Sequence, residues 1–473
     1  MNYKMTAYVL GKMLGVEALV LCIPAAVSLI YGETSDMAAF GITSAVLCVF
    51  FLLFGRKKPE NGRIYGKDGL VIVAAAWILW SVFGALPFYL SREIPSYVDA
   101  LFETVSGFTT TGSTILTDIE ALSYGMNFWR CLTHWIGGMG VLVFVMVVTS
   151  LDDKSSMHLM RAEVPGPEAD KLVPKARETA KLLYAMYLAL TVAEIIFLLA
   201  GGMNLYDSII HSFSTAGTGG FANHNSSVAY YDSAYIDGVI TVFMILFGIN
   251  FNMYFLLLIK DVKSVWKNEE VRAYLGIIVA ATLVITCNVL SIYKEPLKAF
   301  RYSIFQVASI ITTTGFATAD FNLWPELSKC ILLLIMVIGA CAGSTGGGVK
   351  VSRFLILWKS ILKQVNVVKV NGKKISNETL QGVYAYFSAY VFVFGISVLL
   401  VALDNFDFAT TISGVLTTLS NVGPGISRVG PIENFQSFSV LSKIVFSMDM
   451  LIGRLEIFPF LMICSPSFWR KHF

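Results

Sequence analysis

Residues 99–114 read DALFETVSGFTTTGST, a short apolar run that closes on threonines and a glycine. The pattern returns as DSIIHSFSTAGTGGF at 207–221, YSIFQVASIITTTGFA at 302–317 and TTISGVLTTLSNVGPG at 410–425. The glycines of the four copies, Gly112, Gly219, Gly315 and Gly423, are spaced by 107, 96 and 108 residues. A period of about one hundred residues predicts a fourfold internal repeat.

Long apolar runs surround these four segments. The 473 residues are 56% hydrophobic and 14% charged, whereas about 25% of a soluble domain is charged. A helix needs about 20 apolar residues to cross the hydrocarbon core, and ten runs qualify, at 8–30, 37–54, 69–90, 128–151, 182–203, 235–260, 274–293, 327–349, 383–403 and 438–464. The composition excludes a soluble globule and predicts an all-α membrane protein with ten transmembrane helices.

The four short segments follow the third, fifth, seventh and ninth predicted spans, and each is too short to cross the bilayer. We therefore expect every repeat to consist of a helix, a re-entrant pore helix and a second helix, with four such repeats around one central pore. The predicted division is an N-terminal two-helix domain at 1–66 and pore repeats at 67–152, 153–265, 266–370 and 371–473.

Basic residues are shared unevenly between the connections. Lys and Arg are retained on the cytoplasmic side of a membrane protein, and one alternating set of segments holds 24 of them against five in the other. Both termini are therefore expected in the cytoplasm. The large basic loops 152–181 and 353–382 could dock a partner or anionic membrane lipid, although simple retention of positive charge explains them equally well. A net charge of only +3 argues against a nucleic-acid partner.

The glycine-bearing tails suit a cation pathway. Non-helical backbone is tolerated at membrane depth where it faces protein or a water-filled cavity, and carbonyls that point into a narrow pore can replace the hydration shell of an alkali cation. Glycine permits the alternating or left-handed backbone conformation that turns successive carbonyls to one side. The hydroxyls of Thr110, Thr111, Thr313 and Thr314 either add oxygen ligands or brace the loop. Each short helix would also aim its negative C-terminal end at the pore.

The strings TTTGST, GTGGF, TTTGF and NVGPG that end the four copies, together with GRLEIF at 453–458, resemble the Trk/Ktr/HKT superfamily of potassium transporters. Because two extra spans precede the first repeat, the chain is most similar to the bacterial TrkH/TrkG membrane subunits of that superfamily. The resemblance covers the whole chain. It implies K⁺ uptake through a channel-like pore in the bacterial cytoplasmic (inner) membrane, K⁺ as the transported ion without a covalently bound cofactor, a homodimer, and a cytoplasmic nucleotide-binding regulatory subunit of the TrkA kind.

The resemblance also implies a selectivity filter. Glycine at all four filter positions accompanies K⁺ preference in this superfamily. The implied filter residues are Thr110, Thr111, Gly112, Ser113, Gly217, Thr218, Gly219, Gly220, Thr313, Thr314, Gly315, Phe316, Asn421, Val422, Gly423 and Pro424. The fourth copy departs from the pattern, because Asn421 and Val422 stand where the first and third copies have threonines.

The eighth predicted span contains a break. Five glycines fall within positions 339–348, and each costs about 1 kcal/mol relative to alanine in a helix. We expect the helix to end there, and the segment is a passive kink, a phosphate-binding loop or a movable intramembrane gate. Residues 343–350, GSTGGGVK, do not fit the spacing GxxxxGK[ST] of a phosphate loop, and the family resemblance favours the gate. The implied gate residues are Gly339, Gly343, Ser344, Thr345, Gly346, Gly347, Gly348, Lys350 and Arg454.

Arg454 lies deep in the last predicted span, where a cation is costly unless it faces a partner or a cavity. One interpretation is a salt bridge with Asp449 or Glu456. The other, which the family resemblance supports, is that Arg454 projects towards the pore beside the gate loop. Lys350, at the inner end of the broken helix, is expected to snorkel to the cytoplasmic surface.

The remaining reactive residue types are dispersed along the chain. The seven cysteines are expected to be small core residues, and His134 is expected to pack between helices. Paired carboxylates or a nucleophile beside a base are not found at membrane depth, which argues against an enzyme. The main rival is a proton- or sodium-coupled secondary transporter, whose inverted repeats place adjacent half-helices on opposite sides. All four short segments here enter from the sparsely charged side, which favours the pore.

Overall fold

The computed structural model of the chain describes residues 1–62, 64–140, 176–362 and 368–464. Across these residues the secondary structure is helical, apart from one short antiparallel hairpin. The elements are α1 (Tyr3–Val20), α2 (Cys22–Tyr31), α3 (Thr34–Phe50), α4 (Gly66–Gly84), α5 (Leu86–Leu90), α6 (Tyr97–Phe108), α7 (Tyr124–Gly138), α8 (Ala176–Ala200), α9 (Leu205–Gly217), α10 (Ala234–Phe247), α11 (Phe251–Leu258), α12 (Val262–Lys267), α13 (Glu269–Tyr293), α14 (Pro296–Ile311), α15 (Glu326–Ile338), α16 (Val351–Leu362), β1 (Lys369–Val370), β2 (Lys373–Lys374), α17 (Asn377–Val401), α18 (Phe408–Leu419), α19 (Val440–Arg454) and α20 (Phe458–Cys464).

Six helical stretches within the described residues are long and apolar enough to cross a membrane. They are Tyr3–Tyr31, Thr34–Gly55, Gly66–Leu90, Glu178–Ala200, Glu269–Tyr293 and Asn377–Asp404. These correspond to the first, second, third, fifth, seventh and ninth predicted spans. The prediction of an all-α membrane protein is therefore confirmed. The fourth predicted span, 128–151, starts within α7 and continues into residues outside the described part of the chain, as does most of the predicted loop 152–181.

Two predicted spans are wrong as single helices. The run 235–260 is bent by 92° between α10 and α11, because Asn250 starts a new helix there by accepting a hydrogen bond from the N–H of Asn252 at 2.9 Å. The run 438–464 is interrupted after Arg454, where Glu456 and Ile457 adopt left-handed φ angles of 60° and 63°. The eighth run, in contrast, ends at Ile338, where the glycine-rich sequence predicts the break.

The N-terminal helices attach to the rest of the chain through glycine contacts. A Cβ built on Gly11 of α1 would lie 2.6 Å from the backbone nitrogen of Gly55, at the end of the second span. Small residues at such crossings let helix backbones approach closely in a membrane. Helix α1 also packs against α4, so the N-terminal pair is fixed beside the first span of the predicted first repeat.

The four predicted short segments are confirmed as the helices α6, α9, α14 and α18, of 12, 13, 16 and 12 residues. Three of them begin at a side-chain cap, in which Ser96, Asn204 or Asp407 accepts a backbone hydrogen bond. Helix α14 begins with Pro296, whose fixed φ suits the first turn. These caps fix where each short helix starts, and therefore where its C-terminal tail lies.

The expectation that the cysteines are core residues is wrong for four of the six whose side chains the structure describes. Cys131 and Cys341 are buried, whereas Cys22, Cys48, Cys287 and Cys330 are exposed on helices. Lipid tails are as apolar as a protein core. An apolar run therefore does not reveal which face of a spanning helix points inward.

Candidate functional site

The tails of the four short helices share one backbone conformation. In each tail, two residues with left-handed φ flank a third residue: Thr110 and Gly112, Thr218 and Gly220, Thr313 and Gly315, and Asn421 and Gly423. The residue between them donates its N–H to a helix carbonyl at 2.8–3.0 Å, in the pairs Thr111–Ser106, Gly219–Ser214, Thr314–Ser309 and Val422–Thr417. The four tails are therefore equivalent position by position.

This equivalence corrects the sequence alignment of the second repeat by one residue. Gly220, rather than Gly219, corresponds to Gly112 of the first repeat, and Gly217 is the last residue of α9. Gly219 is required for another reason, because a Cβ there would strike the ring of His134. The His134 ring is buried and stacks on Phe221 with 4.1 Å between ring centroids. The predicted packing role of His134 is thus confirmed.

The four tails close into a ring in chain order. A Cβ on each glycine would strike a carbonyl oxygen of the next tail: Gly112 meets Gly219, Gly220 meets Thr314, Gly315 meets Val422, and Gly423 meets Thr111. Each glycine thus lies against the equivalent position of the following tail, and the fourth tail returns to the first. Only glycine combines this approach with a positive φ at low cost.

Several hydroxyl groups brace the ring. The Thr111 and Thr314 hydroxyls lie 2.8 and 2.7 Å from those of Thr109 and Thr312. Further donors are the hydroxyls of Thr218 to the Gly217 carbonyl (2.6 Å), Ser113 to the Gly423 carbonyl (3.1 Å), Ser309 to the Phe316 carbonyl (2.6 Å) and Thr417 to the Pro424 carbonyl (3.2 Å). The Thr110 hydroxyl is buried without a hydrogen-bond partner among the described residues. Most hydroxyls therefore hold the backbone in place.

A cavity of about 100 Å³ opens onto the ring and is lined by all four glycines, Gly112, Gly220, Gly315 and Gly423. Sequence reasoning missed two ion pairs on the helices near it, of which Glu103–Arg130 is buried and Asp99–Lys443 is part-buried. Glu103 accepts a hydrogen bond of 2.6 Å from Arg130 and holds the Ile115 N–H at 3.0 Å. Lys443 donates to Asp99 at 2.6 Å. The sequence signal that could have revealed these pairs is a single charged residue inside an apolar run.

The predicted gate residues between 339 and 350 form a loop next to the ring. It starts at Gly339, directly after α15, and its two ends are held together by the N–H of Lys350 on the Ile338 carbonyl at 2.9 Å. The N–H of Gly347 donates to the Thr313 hydroxyl at 2.6 Å, and that of Gly348 donates to the Ser420 carbonyl at 2.9 Å. The loop is therefore bonded directly to the third and fourth tails.

The bend between α10 and α11 interlocks with this loop. The Cys341 N–H donates to the Gly248 carbonyl at 3.1 Å, and the Phe251 N–H donates to the Gly343 carbonyl at 3.0 Å. The Thr345 hydroxyl donates to the Phe247 carbonyl at 3.2 Å, while the Ser344 hydroxyl stays within the loop on the Cys341 carbonyl at 2.6 Å. Each break supplies backbone partners that the other lacks, as interrupted helices in a membrane require.

Arg454 lies against the loop at the end of α19. Its guanidinium donates to the Thr345 carbonyl at 2.8 Å and to the carbonyls of Gly137 and Gly138 at 2.5 and 2.7 Å. The two carboxylates considered as its partners bond elsewhere, because Asp449 accepts from Ser397 at 2.7 Å and Glu456 pairs with Arg353. Arg454 also lines a cavity of about 70 Å³ together with the glycine loop.

The expectation that Lys350 snorkels to the cytoplasmic surface is wrong. Lys350 is only 3% exposed, and its ammonium group donates to the Gly346 carbonyl. The left-handed φ of 82° at Lys350 turns the chain back on the loop. The side chain therefore satisfies a loop carbonyl and does not reach water.

Comparison with known proteins identifies similar chains over the whole length. A family model described as TrkH, cation transport protein, matches residues 41–471. The chain is 35% identical to the Trk system potassium uptake protein TrkH of Escherichia coli K12 over 100% of both chains, and 31% identical to that strain's TrkG over 99% of both. The crystal structure of the potassium transporter TrkH from Vibrio parahaemolyticus superposes with a TM-score of 0.89 at 32% identity, covering 99% of this chain and 100% of that one.

Proposed function

This chain belongs to the TrkH family of cation transport proteins, and from that premise we propose that it takes up K⁺ across the cytoplasmic membrane. Relatives named as potassium uptake proteins match it over their full length. They are transporters, which supports transport of K⁺ and not catalysis as the activity of this chain.

The observation that carries the proposal is the closed ring of four tails. A K⁺ ion entering it would exchange its hydration shell for main-chain oxygens. The C-terminal ends of α6, α9, α14 and α18 would add negative potential at the same place. The filter proposed here comprises 110–113, 218–221, 313–316 and 421–424, with Gly217 at the helix end behind it. The contacts of each glycine with the next tail support this assignment.

The glycine loop 339–350 would act as the gate below this filter. Its hydrogen bonds to Thr313 and Ser420 support a position next to the ion path. Arg454 would place a positive charge there and hold the loop through the Thr345 carbonyl. Passage would then require the loop to leave the ring and Arg454 to release Thr345.

The proposed architecture has ten spans, with the four repeats around one pore following the N-terminal pair at 1–66. The excess of Lys and Arg in one set of connections supports cytoplasmic termini. We further propose a homodimer in the bacterial inner membrane, regulated by a cytoplasmic nucleotide-binding subunit of the TrkA kind. The phrase "Trk system" in the names of the relatives supports a multi-component assembly.

Ion flux in reconstituted liposomes tests the function. We expect K⁺ and Rb⁺ gradients to drive flux without any gradient of Na⁺ or pH, and Na⁺ flux to be much slower. Liposomes without protein provide the control. Flux that needs a Na⁺ or proton gradient would establish the coupled transporter instead, and equal K⁺ and Na⁺ flux would refute the filter.

A further inference from the structure

Glu270 connects the two ends of the broken eighth span. It lies in the first turn of α13 and is 7% exposed. Its Oε1 accepts hydrogen bonds from the N–H of Ala342 at 2.7 Å and from the N–H of Ser352 at 3.1 Å. Ala342 belongs to the glycine loop and Ser352 to the first turn of α16. One carboxylate oxygen therefore ties the loop to the helix that follows it.

These bonds are strong when the Glu270 carboxylate is ionised. Hydrogen bonds to an ionised acceptor are shorter and stronger than neutral ones. The Ser352 N–H is also one of the donors that a helix leaves open at its N-terminus, where a negative charge is favoured. The backbone of Glu270 is held in place, because the Asn268 side chain caps α13. It accepts hydrogen bonds from the N–H groups of Glu270 and Val271 at 3.0 and 3.1 Å.

The preceding residue holds the same helix further along. Glu269 pairs with Lys359 of α16, and its own N–H donates to the Asn371 side chain at 2.8 Å, in the turn between β1 and β2. Ser352 and Lys359 are about two helical turns apart. Two consecutive glutamates thus hold α16 along the end of α13, but only Glu270 also reaches the loop in the contacts described.

We propose that Glu270 is the positioning residue that keeps the glycine loop closed, an inference that rests on the gate of the proposed function. While its carboxylate holds Ala342 and Ser352, the loop and α16 cannot move independently of α13. Release of that oxygen frees the loop at Ala342 and the start of α16 at Ser352 at once. Opening of the gate then corresponds to a shift of α16 and the loop away from the ring.

The native Cys341 provides a probe of the loop that does not depend on ion flux. It is buried next to Ala342. In a full-length protein whose other cysteines are alanine, we expect Glu270→Ala to raise the rate of Cys341 modification by a water-soluble methanethiosulfonate at least about tenfold, as loss of charge-assisted bonds implies. K⁺ flux should rise in the same variant, with the K⁺/Na⁺ ratio unchanged. Glu270→Gln keeps an acceptor oxygen and should give an intermediate rate.

Glu269→Gln is the matched control, since it changes the neighbouring glutamate and its contacts outside the loop. It should leave Cys341 reactivity unchanged. The proposal is overturned if Glu270→Ala reacts no faster than the parent, or if Glu269→Gln accelerates the reaction equally. Should Glu270→Ala fail to elute as a folded species, Glu270→Gln decides by the same criterion, and a rate equal to that of the parent overturns the proposal.

The outcome also separates this inference from the proposed function. Cys341 reactivity reports the loop whichever ion crosses the membrane. If the chain carries no K⁺ but Cys341 becomes more reactive in Glu270→Ala, the proposed function is refuted and the positioning role of Glu270 is supported. If the chain carries K⁺ but Cys341 stays equally protected in Glu270→Ala, only the positioning role of Glu270 is refuted.

Discussion

The side-chain amide of Asn421 donates a hydrogen bond of 2.9 Å to the hydroxyl of Thr111, and this contact joins the fourth tail to the first. The same amide nitrogen donates to the Met450 carbonyl in α19 at 2.8 Å. Asn421 occupies the position that threonine holds in the other three tails. An amide has two N–H donors where a hydroxyl has one. The departure from fourfold symmetry therefore lies where the ring closes, and it ties the ring to a spanning helix.

Asn421→Thr should loosen this closure. One or both hydrogen bonds are lost, so we expect a destabilisation of about 1–3 kcal/mol and a larger Na⁺ leak. Thermal unfolding in detergent and liposome flux measure the two effects. Asn405→Thr is the control, because Asn405 also has a left-handed φ angle but is solvent-exposed. Equal effects of both substitutions would show that backbone strain, and not the two bonds, is responsible.

Gly112→Ser and Gly315→Ser should each reduce the discrimination between K⁺ and Na⁺. The new Cβ meets a carbonyl of the next tail, and strain of about 1–3 kcal/mol at such a position corresponds to a change of about fivefold or more in the permeability ratio. Ion-flux ratios measure it. Gly238→Ser, on α10 with open space around its Cβ position, should change nothing. Unchanged ratios in both ring variants would refute the filter.

Shortening the glycine loop should raise the open probability. Deletion of Gly346 and Gly347 removes the bond to the Thr313 hydroxyl and the carbonyl that holds Lys350. We expect the shortened loop to lose its contact with the third tail while its ends stay paired. Single-channel recording measures open probability and unit conductance separately. Records indistinguishable from those of the intact chain would reject the gate.

The pair Glu103–Arg130 should contribute strongly to stability. Both side chains are 1% exposed or less, and removing one partner of a buried pair costs about 3–5 kcal/mol, since the other charge is left uncompensated. We expect Glu103→Ala to lower the thermal unfolding midpoint markedly. Glu178→Ala removes a carboxylate from the exposed pair with Lys181 and should cost less than about 1 kcal/mol. Similar midpoints for the two variants would contradict the assignment.

Stability should depend on pH through Glu93, which lies between α5 and α6 outside the spanning helices. Burial raises the pKa of this carboxyl from 4.5 to about 7; hydrogen bonds from Ser123 oppose the shift and the negative charge of Asp36 adds to it. The folded state therefore holds a proton that the unfolded state releases, so stability present at low pH is lost as pH rises from about 4.5 to about 7.

The unfolding midpoint measured across this pH range should fall and then level off. Glu93→Gln should flatten the profile, because the group no longer titrates. Glu295→Gln, at an exposed position, should keep the slope of the parent. A slope that persists unchanged in Glu93→Gln would assign the pH dependence to other groups.

The sequence was sufficient for the four short helices, because each carries its own signals of length, capping and terminal glycine. It misaligned the second tail, where Gly219 and Gly220 are adjacent and composition cannot tell which has the left-handed φ. Contact with the His134 ring explains Gly219, whereas contact with the third tail explains Gly220. Such a distinction requires coordinates.

By itself, the sequence determined the membrane class, the repeated tails and the break after Ile338, since these follow from hydropathy and backbone preferences of neighbouring residues. Tertiary structure alone decided that the tails close into a ring, that Lys350 turns inward, and that Arg454 bonds to carbonyls of α7 and the loop. The physical reason is separation along the chain. Thr111 and Asn421 are 310 residues apart, and a contact over that distance depends on how the helices pack, which no local pattern encodes.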